Sequence, residues 1–274
     1  MRLALMAVVG VLPACAPASL VQGVGLSNYD ALTPSDGLVT KSRLSVNKAD
    51  VLAAKTVRIV PTTFPVDVAP KLTPQQRDLV ANSVNRALCV GLSDRFEMVA
   101  PDQPADLTVR ASVTQVTETD ELMAGLSTVA SIGTSFVDVG VPIPTPRIPI
   151  GMGSLSMEAQ AVDSAGRPQA SMLWARGAGA LFSTPRMSKV GDAYELADSF
   201  GEDFAFLLVK GQSPFADAGI ELPSWQKVNS AMGLPHKHEA CARYGLYPGL
   251  AGLVSGQLGM PPEWTDAGGK PPAP

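Results

Sequence analysis

The 274-residue chain has only two histidines, His236 and His238, in the run Pro235-His236-Lys237-His238-Glu239-Ala240-Cys241. Imidazole, carboxylate and thiolate together are ligands for zinc or copper, and alternate residues of an extended strand turn both rings to one side. The cluster is local, however, no distant ligand accompanies it, and Cys241 has a competing use as half of a disulfide. The expectation is an exposed loop, with no metal and no other cofactor. Glu195, Asp198, Glu202 and Asp203 crowd into nine positions. Two carboxylates facing each other across a substrate can hydrolyse a glycosidic bond, but that pairing is made in space and not along the chain. On a helix these four read more simply as its solvated side. A serine nucleophile needs a base, usually histidine. The nearest approach to a nucleophile elbow, Gly252-Leu253-Val254-Ser255-Gly256, has the wrong spacing. No Gly-Lys-Ser/Thr follows a glycine-rich turn, so no phosphate loop is present. No catalytic residue emerges. The leading expectation is a non-enzymatic protein that binds a partner or serves a structural role. Two alternatives stand behind it: a lipid or small-ligand binding or transfer protein with the apolar segment 122–150 lining a cavity, and a hydrolase with spatially assembled carboxylates.

The most specific chemistry belongs to Cys15. A basic Met1-Arg2 start is followed by an uncharged run, Leu3 to Leu12, and then by Leu12-Pro13-Ala14-Cys15. Such an order is that of a secretory signal peptide, here residues 1–14. As a helix the apolar run is about 15 Å long, half of a bilayer's hydrocarbon thickness, and too short to remain as an anchor. The tetrapeptide resembles the lipobox of bacterial lipoproteins. That resemblance implies a diacylglyceryl group on the Cys15 thiol, cleavage before it, and a further acyl chain such as palmitate on the new amine. Ala16, where an Asp would signal retention, implies the outer membrane by the same analogy.

The expected address is therefore the bacterial cell envelope, periplasm-facing and lipid-anchored, with the membrane and an envelope protein as partners. A net charge of −4 and the lack of any Lys/Arg run argue against nucleic acid. Cys89 and Cys241, an even pair in an oxidising compartment, read as one disulfide.

These residues need elements to position them. Thr56-Val57-Arg58-Ile59-Val60 is a β-branched strand that Pro61 ends. Thr73-Pro74-Gln75-Gln76 has the form of a capping box, and Val80, Val84 and Leu88 give the helix behind it one apolar stripe. Cys89 falls on the polar flank of that helix with Asn82, Asn85 and Arg86, well placed to reach another segment. Strands follow at about 96–100 and 106–116, the second alternating cleanly, and a hairpin joins 157–161 to 168–176 through Asp163-Ser164-Ala165-Gly166. Between them lies an uncharged stretch, 122–137, fit for a short apolar helix, and then Pro142, Pro144, Pro146 and Pro149, which exclude a central strand. The expectation there is a long loop packed over one end of the sheet, the other reading being a flap that touches membrane or partner. A second helix at 193–210 starts from Asp192 and Glu195 at capping-box spacing and stops at Lys210-Gly211.

The motif Gly25-Leu26-Ser27-Asn28-Tyr29-Asp30-Ala31-Leu32, followed by Val57-Arg58-Ile59-Val60-Pro61, resembles a family of bacterial lipoproteins catalogued as domain of unknown function 3313. Met157-Glu158-Ala159-Gln160-Ala161-Val162-Asp163 and the turn after it are similar to the family's second half. The likeness covers roughly residues 22–210. It implies an α+β lipoprotein and transfers no catalytic residue. The expected fold is α+β: a small antiparallel or mixed sheet with two helices packed on one face and long irregular Pro/Gly-rich segments. The expected order is a signal peptide (1–14), a lipidated N-terminus with tether and cover segment (15–50), the α+β domain (51–211) and a Pro/Gly-rich extension with a disordered end (212–274).

Overall fold

The computed structural model describes residues 16, 18–135, 147, 149–180, 183–216 and 223–269. Cys15, the signal segment and the prolines at 142, 144 and 146 lie outside the described residues. In chain order the described elements are β1 (Thr33–Pro34), β2 (Thr40–Val46), α1 (Lys48–Ala53), β3 (Thr56–Ile59), α2 (Pro74–Leu92), β4 (Glu97–Met98), β5 (Leu107–Thr117), α3 (Glu121–Ser135), β6 (Ser154–Asp163), β7 (Pro168–Gly177), α4 (Gly191–Lys210), α5 (Trp225–Ala231) and α6 (Gly249–Gln257).

One mixed sheet of seven strands runs in the order β1-β2-β7-β6-β5-β3-β4. Strand β3 is parallel to both of its neighbours, and the other pairs are antiparallel. The α+β class and mixed sheet agree with the sequence reading, while the sheet is larger and the helices more numerous than it suggested. Strand β2 was hidden because two of its inward residues, Thr40 and Ser42, are polar yet buried. Its hydrophobic alternation is therefore too faint to read.

Alternation along β6 and β7 gives the sheet two covered faces. Met157, Ala159, Met172 and Trp174 join the main core with Phe200 and Phe204 of α4 and Val84 and Leu88 of α2. Trp174 meets the Phe200 ring edge-on at 5.6 Å between centroids. The intervening residues Ser156, Glu158 and Leu173 point the other way, where the N-terminal stretch lies across them. Leu26 and Leu32 pack on Leu173. Glu158, only 1% exposed, accepts from Gly23 N–H (3.0 Å), Gly25 N–H (2.6 Å) and the Tyr29 hydroxyl (2.6 Å). A buried carboxylate with three donors is well satisfied. Burial, reinforced by the bond to Glu158, raises the Tyr29 phenol to about 12.

The helices keep their sequence-level logic with one exception. Helix α2 begins on the expected capping box, both of its reciprocal bonds between Thr73 and Gln76 being present. Helices α2 and α4 approach closely where glycines face alanines: a Cβ on Gly201 would come within 2.6 Å of the Ala87 Cβ. Gly211 ends α4 at φ 64°, the left-handed conformation glycine adopts without strain. The exception is the expected box of Asp192 and Glu195. The cap is Val190, which makes no side-chain bond. Asp192 is instead fully buried, accepting from both terminal nitrogens of Arg147, from Thr119 Oγ1 at 3.0 Å and from Gly153 N–H at 2.7 Å. A guanidinium arriving from outside the helix outcompetes a local cap.

Candidate functional site

The polar flank of α2 is where the C-terminal segment attaches. Cys89 and Cys241 form a disulfide with their Cα atoms 5.8 Å apart. Both are buried, so Cys89 does not face solvent as a polar flank would. The reason is the segment it holds: Asn82 Nδ2 donates to Tyr244 C=O at 2.8 Å, and Tyr244 OH donates to Ile59 C=O at 3.2 Å. Arg86, with no exposed surface, pairs with Asp266 through both terminal nitrogens and lies 4.3 Å over the Tyr247 ring. Burial alone would pull Arg86 down, but the Asp266 bond and neighbouring charges leave it raised, and Arg86 in turn holds Asp266 below the ordinary carboxylate range against burial. Tyr194 OH completes the triad with a 2.6 Å bond to Asp266.

Beneath this attachment the segment roofs a cavity of about 300 Å³. Its floor is Ser83 and Val90 of α2 with Tyr194, Glu195, Asp198 and Glu202 of α4, its side Arg186, and its roof Lys227, Ser230 and Ala231 of α5 with Tyr247, Pro248 and Leu253. The carboxylates expected on a solvated helix side are thus partly covered, because the residues beyond 223 fold over them, although Glu202 keeps 44% of its side chain exposed. Two are ion-paired: Glu195 with Arg186 (3.3 Å) and Glu202 with Lys227 (3.1 Å). Asp198 accepts from the Tyr247 hydroxyl. Burial, reinforced by the Glu202 charge, pushes Asp198 up to about 6, while Tyr247 and Arg86 pull it back. Burial also raises Glu195 and lifts Tyr247 well above the usual phenol value. Asp203 sits apart from the cavity, accepting from Trp174 Nε1 at 2.8 Å, and burial raises it to about 6 as well.

The other sequence candidates are dispersed. A ring nitrogen of His236 bonds Gly245 C=O at 2.7 Å. His238 precedes a 3-10 turn, Glu239–Tyr244, and burial with the nearby Lys237 charge lowers its pKa. The disulfide consumes Cys241, so the thiol is withdrawn from the His-x-His cluster, and among the described residues no three of His, Cys, Asp or Glu are grouped to hold a metal. Ser255 lies inside α6 and donates to Gly252 C=O at 3.0 Å. The described residues of segment 122–150, expected as a cavity lining, contribute nothing to the cavity described above.

A second surface stands out. Leu122 and Leu126 on α3, Ile150, Met187, and Leu250, Val254 and Leu258 on and after α6 are all exposed. Their segments touch in pairs: Asp120 N–H, before α3, bonds Gly151 C=O (2.8 Å), and Met187 N–H bonds Gly259 C=O (2.8 Å), after α6. Ala16 is fastened near the same end, its N–H on Ala178 C=O at 2.9 Å, with Ala178 N–H on Gly153 C=O at 2.9 Å. No described helix is long and apolar enough to cross a membrane.

A family model described as "Protein of unknown function (DUF3313)" matches residues 23–204. Two solved structures share a distant likeness. The PelC dodecamer from Paraburkholderia phytofirmans is 11% identical, over 64% of this chain and 99% of that chain, with a TM-score of 0.36. A single-substitution variant of the same dodecamer, from the same organism, is 12% identical, over 62% and 97%, with a TM-score of 0.34. No curated protein matches the sequence.

Proposed function

The chain belongs to the DUF3313 family of proteins of unknown function, and from that premise we propose that it is a lipid-anchored protein of the bacterial cell envelope, facing the periplasm. On this reading it is non-enzymatic, rests on the outer-membrane bilayer, and presents the rest of its body to an envelope partner. The observation that carries the proposal is the position of Ala16. A lipid on Cys15 would enter the bilayer one residue before a backbone that is bonded to Ala178, within the same network as Gly151, Gly153 and the start of α3. The exposed Leu122, Leu126 and Ile150 flank that network. The anchor and an apolar face then reach the membrane together. Fully burying one leucine contributes about 1.5–3 kcal/mol, and partial insertion of several supplies the second membrane signal that stable anchoring benefits from.

Two further features support this reading. The Cys89–Cys241 disulfide suits an oxidising compartment. Trp225 and Trp264, 72% and 73% exposed, are the kind of residue that anchors a protein interface.

The test is fractionation of cells expressing full-length protein. Cys15→Ser should lose both the processed, lipidated mass and the membrane fraction. Leu122→Asp with Leu126→Asp should keep the lipid yet wash off the membrane more readily. A Cys15→Ser chain with unchanged processing and partitioning would remove the anchor from the account. A photo-crosslinking residue at Trp264 in intact cells should recover a specific protein, and recovery of none would remove the partner.

A further inference from the structure

We propose that the cavity between α2, α4, α5 and α6 is a binding site for a small organic monocation, an ammonium group on a compact apolar body, with Asp198 as its counter-ion and Ser230 as its hydrogen-bond partner. This inference rests on the cavity alone and is independent of the lipid anchor.

Five charged groups line the cavity. Arg186 is committed to Glu195 and Lys227 to Glu202. Asp198 is left with a phenol donor, Tyr247, and no ion pair among the described residues. Arg86, whose charge also reaches Asp198, is bound through both terminal nitrogens to Asp266. With the two pairs closed, the lining carries one uncompensated negative charge. A half-buried carboxylate without an ion pair in the lining favours a cationic occupant and disfavours an anionic one.

Ser230 calls for a polar occupant on grounds independent of charge. It is 6% exposed, lines the cavity, and its Oγ has no hydrogen-bond partner among the described residues. A buried hydroxyl left unpaired is commonly completed by something the protein itself does not supply. An ammonium carries three N–H donors, enough to serve Asp198 and Ser230 together.

The remaining walls set the shape of the ligand. Val90, Ala231, Pro248 and Leu253 are apolar, and Tyr194 and Tyr247 add aromatic surface. A cavity of about 300 Å³ lies at the small end of ligand pockets, room for one ring or a short branched chain. Occupancy depends on pH through Asp198. The groups that act on it are Glu202 and Tyr194 on its own helix, Arg86 from α2, Lys227 from α5 and Tyr247 from the roof, with the Glu195–Arg186 pair elsewhere in the lining. Burial and Glu202 hold Asp198 at about 6, so the counter-ion is lost as the medium is acidified below that value.

The experiment is isothermal titration of full-length protein in detergent with three probes of one shape: benzylammonium, benzyl alcohol and benzoate. Benzylammonium should bind at least about tenfold tighter than the alcohol, and benzoate should give no heat. Asp198→Asn should erase the preference for the cation, and Ser230→Ala should weaken it a few-fold. Between about pH 8 and pH 5 the wild-type protein should lose affinity, although the probe stays an ammonium throughout. That series needs no variant to fold. Equal binding of ammonium and alcohol, undiminished binding by Asp198→Asn, pH-independent affinity, or no binding of benzylammonium to the wild type would each overturn the proposal.

Discussion

Asp266 on one side and Asp198 and Asp203 on the other respond to pH in opposite directions. Asp266 is held below the ordinary carboxylate range by Arg86 and Tyr194. Its contribution to stability is present above that range and disappears as pH falls through its folded value. Asp198 and Asp203 are both raised to about 6. For them the folded state prefers the protonated acid, so their favourable contribution is complete near the unfolded value of about 4 and is lost as pH rises through about 6. Asp203→Asn should therefore raise stability by about 1–2 kcal/mol near pH 8 and leave it unchanged near pH 4, measured by urea unfolding at both. Asp266→Ala acts the other way. It strands the Arg86 charge in the interior and should destabilise by about 3–5 kcal/mol at neutral pH, read in the same titration. Residue types and spacing already placed Glu195, Asp198 and Glu202 along one helix. What spacing alone leaves open is the roof, because that depends on chain some thirty residues or more further on.

At the scale of elements, the molecule is held by segments that cross others rather than continue them. The disulfide joins α2 to a 3-10 turn 152 residues later. Cys241→Ser should lower stability by up to about 5 kcal/mol on the loop-entropy argument, and reduction of the wild type should match it. Glu158 performs the equivalent task on the other face of the sheet. Glu158→Ala removes the acceptor of two backbone N–H groups and the Tyr29 hydroxyl. Limited proteolysis should then cut within residues 20–32 at least several times faster than in the wild type, with the hairpin β6–β7 still protected. Elements whose signals are local were legible: the capping box of α2, the alternation of β5, and the turn between β6 and β7 all fall where sequence placed them. Elements whose stability comes from distant cover were not. Strand β2 turns Thr40 and Ser42 inward. Helix α6 and the turn after it are a glycine-rich piece that reads as tail until Arg186 and Thr128 are seen against it. The Asp192–Glu195 cap failed for the same reason, since Arg147 arrives from outside the helix.

For the whole molecule, one face of the sheet is covered by the N-terminal stretch and the other by the mid-chain helices α2 and α4. The C-terminal segment forms a further layer over those helices. Exposed Leu122, Leu126 and Ile150 lie beside the backbone bonds that fasten Ala16. Under the proposed membrane seating, full-length protein bound to liposomes should show its largest gain in hydrogen-exchange protection at α3 and Ile150, and its smallest far from the bilayer. Equal protection over the whole surface would argue against any fixed orientation.

The Arg86–Asp266 pair has a consequence for how the protein is made. Synthesis proceeds from the N-terminus, so α2 emerges with a cation destined for the interior 180 positions before its partner exists. Until Asp266 arrives, burying that side of α2 is uphill. That flank of α2 thus has reason to stay open until the segment carrying Asp266 has been made.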